Sequence, residues 1–139
     1  MADWGWRIYE FVEDGRSVIG AWLDAKGVSL RDRAQLVAKT DMLALHGPNL
    51  ASSLISSSPI KSVRNPRMQS HVYKLKVRGD KMLRPFLCKG PFDMNSEFTF
   101  LLGAIEMDGE LDEDAEDAET RRSILIADPS RRILNGRYR

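Results

Sequence analysis

The sequence predicts an α+β fold: a single domain with a small, antiparallel-rich sheet, an N-terminal helical hairpin and a C-terminal helix. Three observations carry this expectation. Residues 6–12 are aromatic and β-branched and are followed by two stretches with helical spacing. Three strand-like runs then succeed one another between residues 71 and 105, as in an antiparallel meander. Finally, residues 112–126 carry acids early and Arg121 and Arg122 late, the order a helix dipole favours.

The first strand, residues 6–12, alternates roughly by twos and stops at the turn signal Glu13, Asp14, Gly15, Arg16. Ser17 can cap a short helix in which Val18, Ile19, Trp22 and Leu23 recur at helical spacing before Lys26 and Gly27 end it. Ser29 and Asp32 have the spacing of a capping box for a second helix. Its predicted inward stripe is Ala34, Val37, Ala38 and Leu45, widened by Leu36, Met42 and Leu43, and Gly47 and Pro48 close it. His46 falls at its C-terminus, where the dipole favours a cation. Residues 49–67, rich in Ser and Pro, read as a loop with one helical turn at 50–55.

In residues 71–78, alternation puts Tyr73, Leu75 and Val77 on a core face and Lys74, Lys76 and Arg78 on a cationic face. His71 falls on the side of Tyr73, which suits a structural role. Pro85 lacks a ladder donor, so the strand at 83–88 is expected at an edge or a bulge. Residues 97–105 are apolar enough for a central strand. Asp128 and Pro129 stop the last helix, leaving 130–139 as a basic tail outside a domain of residues 1–129.

At 139 residues the chain suits one hydrophobic core, and no apolar run approaches the ~18 residues that span a bilayer. The start lacks the features of a secretory signal, and the single Cys88 excludes an internal disulfide and a thiolate cluster. A cytoplasmic protein is expected. The formal net charge of +1 conceals blocks. Residues 60–92 carry nine cations against the single acid Asp80, whereas 106–119 carry no Lys or Arg. Such blocks suit a polyanion partner, but on charge alone solvated faces and a helix with acids near its start account for them better.

Several local sequences, in this order, resemble the RelE/ParE toxin superfamily, in its phage-derived, HigB-like branch. They are Tyr9, Glu10, Phe11 before Asp14, Gly15, Arg16, Ser17; Trp22, Leu23, Asp24; and Val72 to Val77 leading to Leu83, Arg84, Pro85, Phe86. Leu101 to Glu106, then Ala115, Ala118 and Arg121, continue the resemblance over residues 6–122.

That resemblance implies a toxin of a type II toxin-antitoxin module that cleaves ribosome-associated mRNA and is neutralised by a cognate antitoxin. In RNA-cleaving relatives the RNA 2′-hydroxyl attacks the adjacent phosphate, so neither metal nor cofactor is implied. A proton acceptor, a proton donor and cations around the phosphate are needed. Arg84 is the candidate for holding the phosphate, with Lys76, Arg121 and Tyr138 as further catalytic candidates. Lys74, Arg78, Lys89, Arg122, Arg132 and Arg137 are candidate RNA contacts. For Arg84 the alternative is a salt bridge to an acid such as Glu97; for Lys74 and Lys76 it is ordinary solvent exposure. The sequence departs from many relatives after Ile105, where Glu106 and Met107 replace a lysine pair. A ParE-like topoisomerase-binding toxin and a non-catalytic phage interaction or assembly protein are the other functions such a fold could carry.

Overall fold

A computed structural model describes residues 5–50, 55–57, 72–106 and 112–136. The elements are β1 (Arg7–Glu13), β2 (Arg16–Ser17), α1 (Val18–Ala25), α2 (Leu30–His46), a 3-10 turn (Gly47–Asn49), β3 (Ile55–Ser57) and β4 (Val72–Leu75). They continue with β5 (Val77–Arg78), β6 (Met82–Lys89), β7 (Glu97–Ile105), α3 (Asp112–Ala127) and β8 (Arg132–Leu134). The class is α+β, with three α-helices and one mixed sheet among the described residues.

The sheet runs in the order β2, β1, β7, β6, β4, β3, with β5 paired to β6 and β8 paired to β1. Among the described residues only β1 and β7 pair in parallel; the other pairings are antiparallel. One face packs on the α1–α2 hairpin through Ile8, Ile19, Leu36, Leu43, Leu75, Val77, Leu83, Leu87, Phe98 and Phe100. The other packs on α3, where Phe11, Val72, Phe86, Leu101, Leu102 and Ala104 meet Ala115, Ala118 and Leu125. Helices on both faces explain why β6 and β7 are buried almost throughout their length rather than on alternate residues.

Close contacts tighten the hairpin side. Trp6 stacks on Phe98 with ring centroids 4.5 Å apart. The Trp22 ring lies so close over Gly103 that a Cβ there would fall 2.1 Å from its ring carbons. Glycine is therefore the residue that lets α1 approach β7.

Both serine caps form as the sequence predicts: Ser17 Oγ accepts from the Gly20 N–H and Ser29 Oγ from the Asp32 N–H, each at 3.1 Å. The reciprocal half of the capping box does not form. Asp32 is buried and its carboxylate instead accepts from the N–H groups of Asp80 (2.9 Å) and Lys81 (3.0 Å), tying α2 to the turn between β5 and β6. Gly79 completes this contact, since a Cβ there would meet Asp32 Oδ1 at 2.1 Å.

This anchor also corrects the predicted inward stripe of α2. The buried residues are Asp32, Leu36, Thr40, Leu43 and Ala44, whereas Ala34 and Ala38 are exposed, with Val37 51% and Leu45 57% accessible. Two polar residues can face inward because Asp32 is satisfied by the turn and the Thr40 hydroxyl donates to the Leu36 carbonyl at 2.8 Å.

Two further expectations are refined. Of the two settings expected for Pro85, an edge or a bulge, the edge does not apply because β6 lies inside the sheet, whereas a register shift does occur beside it, between Phe86 and Leu87; its missing N–H falls where β4 gives way to β5. Within residues 50–55 the described ends are Leu50 and Ile55, and Ile55–Ser57 is a strand paired to β4 rather than part of a helical turn.

The segment expected to be a basic tail is docked as far as it is described. β8 pairs with β1, the Asn135 N–H donates to the Ile8 carbonyl at 2.9 Å, and the Val12 N–H to the Arg131 carbonyl at 2.9 Å. Arg132 seals the attachment: it grips Glu97 with two hydrogen bonds of 3.1 and 3.3 Å and lies 3.6 Å over the Tyr9 ring. Burial alone would raise the Glu97 pKa. The Arg132 hydrogen bond, the N–H groups of Asp93 and Phe92, and the Arg132 charge outweigh burial and hold it below the usual carboxylate range.

Asp32→Ala is expected to lower stability by about 2 kcal/mol in urea unfolding, because two backbone donors lose their acceptor. Glu97→Gln is expected to cost about 3 kcal/mol near neutral pH by leaving the Arg132 guanidinium without a counter-charge. A depressed carboxylate pKa stabilises above its unfolded value and ceases to do so as pH falls through the folded one. The gap between wild type and Glu97→Gln should therefore be full above about pH 4.3 and close on further acidification. An unchanged gap down to the acid limit of folding would contradict this account.

Candidate functional site

Strand pleating sorts the basic residues of the meander. Leu75 and Val77 belong to the core under the helical hairpin, so Lys74, Lys76 and Arg78 project to the α3 side. On β6, Leu83 and Leu87 face the hairpin while Phe86 and Cys88 face α3, which places Arg84 on the α3 side as well. β4 and β5 pair with β6 in one continuous register, setting Lys74 opposite Phe86 and Lys76 opposite Arg84. Lys74, Lys76 and Arg78 thus share one face, as alternation predicts, and Arg84 lies on the same face. Lys74 and Lys76 are half-buried and Arg78 is exposed. Among the described residues none of these three forms an ion pair.

Arg84 differs from the lysines because it is sunk into the sheet, only 5% exposed. Its Nη1 donates to the Leu83 carbonyl at 3.0 Å and its Nη2 to Glu106 Oε2 at 2.9 Å. Its Nε is buried and has no acceptor among the described residues. The partner of Arg84 is therefore Glu106 and not Glu97, which is engaged by Arg132.

A β-bulge brings Glu106 to this position. β6 and β7 pair Leu87 with Phe100 but Phe86 with Leu102, leaving Leu101 as an extra residue. Leu101 and Leu102 consequently both enter the α3-side core, and the alternation of β7 shifts by one from there on. Ile105 then packs toward the hairpin, and Glu106, whose N–H continues the ladder to the Met82 carbonyl at 2.9 Å, turns toward Arg84. Without the bulge its side chain would lie on the opposite face.

The other candidates lie elsewhere. Arg121 donates to the Leu101 carbonyl at 3.0 Å and to Glu13 at 3.2 Å. It lines a groove of about 540 Å³ with Trp22, Leu102, Gly103, Arg16 and Glu13, which none of Lys74, Lys76, Arg78 and Arg84 borders. Arg122 pairs with Glu119 at 2.8 Å, both side chains borne on α3 and largely buried. Arg132 is committed to Glu97 at the far edge of the sheet. Lys89 lies over the Tyr73 ring at 5.7 Å, on the hairpin side, so the sheet separates it from Arg84. His46 is exposed in the last turn of α2. His71, Arg137 and Tyr138 lie outside the described residues. Among the described residues no three His, Cys, Asp or Glu side chains gather as metal ligands would.

In the sequence Glu106 stands out only as a departure from a lysine pattern. The signal that points to its role is the doublet Leu101 and Leu102, two consecutive large apolar residues in a strand, which is where alternation has to slip.

Cys88 is the one thiol of the chain and sits in the α3-side core. Burial pushes it from its ordinary 9.0 up to about 12, against the opposing pull of Arg122 and Arg132. At pH 8 the folded protein should hold roughly a thousandfold less thiolate than a free cysteine. Cys88 is expected to resist a disulfide reagent until denaturant is added; rapid labelling of the native protein would refute its burial.

Compared with models of protein families, with curated proteins and with solved structures, the chain matches none.

Proposed function

We propose that the chain is a RelE-like toxin of a type II toxin-antitoxin module and that the face bearing Lys74, Lys76, Arg78 and Arg84 binds RNA phosphodiesters, leading to cleavage of ribosome-associated mRNA. The observation that carries this reading is the convergence on one face of these four cations, carried by β4, β5, β6 and the residue between β4 and β5. The succession of a strand, a helical hairpin, the meander β4, β6, β7 and the helix α3 supports the RelE-like assignment.

In this reading the two roles differ by burial. Lys74 and Lys76, partly solvated, supply salt-sensitive attraction along the RNA backbone. Arg84, withdrawn from solvent and rigidly placed, stabilises the charge that builds on the phosphate as the 2′-hydroxyl attacks. The reaction is metal-independent and needs no cofactor. The partners are mRNA on the ribosome and a cognate antitoxin, whose acidic segment would cover the same cationic face. A cytoplasmic location follows from those partners; no described helix is long and apolar enough to cross a membrane.

One observation favours a second reading. Arg84 is held by Glu106, and Arg121, Arg122 and Arg132 are each paired to a carboxylate, which suits a fold kept for binding alone. That binding protein would be a ParE-like toxin acting on a topoisomerase or a phage interaction or assembly protein.

Purified protein incubated with ribosomes and a defined message is expected to cleave the message, and Arg84→Ala to cleave about 100-fold more slowly. Replacing Lys74 and Lys76 by alanine should weaken RNA binding and flatten its salt dependence by about 0.7 per charge removed. Intact RNA with the wild type, or undiminished cleavage by Arg84→Ala, defeats the nuclease reading. Inhibition of gyrase supercoiling with intact RNA would point to the ParE-like alternative, and vigorous growth on induced expression to the assembly protein.

A further inference from the structure

We propose that Glu106 is the resident occupant of the phosphate site on Arg84 and that RNA enters by exchange, a phosphodiester displacing the carboxylate. This rests on the reading that the cationic face binds RNA. The Nε and Nη2 groups of the guanidinium form one edge, the fork that receives two oxygens of a single anion side by side. In this structure the edge is half used: Nη2 donates to Glu106 Oε2 at 2.9 Å, and Nε, buried, has no acceptor among the described residues. Nη1, on the remaining edge, is committed to the Leu83 carbonyl.

A buried donor without an acceptor is costly and uncommon in folded proteins. Glu106 cannot readily cure it. Its backbone is clamped by the hydrogen bond from its N–H to the Met82 carbonyl, so the carboxylate reaches the fork from one fixed point. A free phosphodiester has two nonbridging oxygens and no tether, and it can satisfy Nε and Nη2 together. The resident group is also the accessible one: the Glu106 side chain is 25% exposed against 6% for that of Arg84. An incoming anion therefore meets Glu106 first and reaches the fork by taking its place. Lys74 and Lys76, on the same face and without acidic partners among the described residues, offset the repulsion that Glu106 alone would exert on the approaching RNA.

Glu106 is thus a positioning residue that keeps Arg84 paired and aimed while the site is empty, and it sets how strongly RNA must compete. The test is RNA affinity, measured by fluorescence anisotropy with a labelled single-stranded 12-mer, for wild type, Glu106→Gln, Arg84→Lys and the double variant. Glu106→Gln is expected to bind about tenfold more tightly, the worth of one charge-assisted hydrogen bond no longer contested. In the Arg84→Lys background the same replacement should change affinity by much less. Unchanged or weaker binding by Glu106→Gln, while wild-type binding still depends on Lys74 and Lys76, overturns the exchange and leaves the RNA-binding reading standing. Absence of RNA binding in both proteins overturns the two together. If Glu106→Gln fails to fold, the arginine Nε–H resonances of the wild type decide. Saturating 12-mer should shift the Arg84 signal, identified by its loss in Arg84→Lys, and an unmoved signal overturns the proposal.

Discussion

Covering the central strands on both faces is the constraint from which most of this structure follows. With α1 and α2 on one side and α3 on the other, β6 and β7 offer almost no position where a charge can meet bulk water. Desolvating an ion without a partner costs several kcal/mol. Two charged residues are nevertheless buried in these strands, Arg84 and Glu97, and each is matched by a group recruited from beyond the central pair: Glu106 just past the end of β7, and Arg132 from β8. The docking of the C-terminal segment and the construction of the cationic site are two answers to one electrostatic requirement.

Features set by near neighbours along the chain are legible in the sequence alone. Ser17 and Ser29 cap their helices because the hydroxyl and the N–H it accepts from are three residues apart. Lys74, Lys76 and Arg78 separate from Leu75 and Val77 because pleating has period two whatever surrounds the strand. The phase of α2 is not legible, since counting apolar residues favours Ala34, Val37, Ala38 and Leu45. The side chain that sets the orientation is a carboxylate bonded to backbone 48 and 49 residues away. The order of residues 131–135 depends on β1, at the other end of the chain, so their composition by itself reads as a basic tail.

The candidate site divides along the same line. Its lysines follow from local alternation, whereas the pairing of Arg84 with Glu106 depends on the register of β6 and β7 and on the extra residue Leu101. A one-residue slip transfers every later side chain of a strand to the opposite face. The identity of the residue beside Arg84 is thus decided five positions upstream of Glu106, by a packing event between two leucines and α3.

A site built on a buried arginine faces a difficulty that one built on surface lysines does not. Lys74, Lys76 and Arg78 can stand without partners, because water and counter-ions solvate them and salt screens them. Arg84 cannot, because the desolvation that would make it an effective stabiliser of a developing phosphate charge also makes its unliganded form costly. An internal carboxylate is one resolution, and it has to satisfy opposing demands: close enough to hold the guanidinium, weak enough to yield to a better-fitting anion. A single contact at Nη2, with Nε left over, meets both. On that reasoning the acid after Ile105 does not argue against the proposed anion binding at Arg84; it would be the group that the anion displaces.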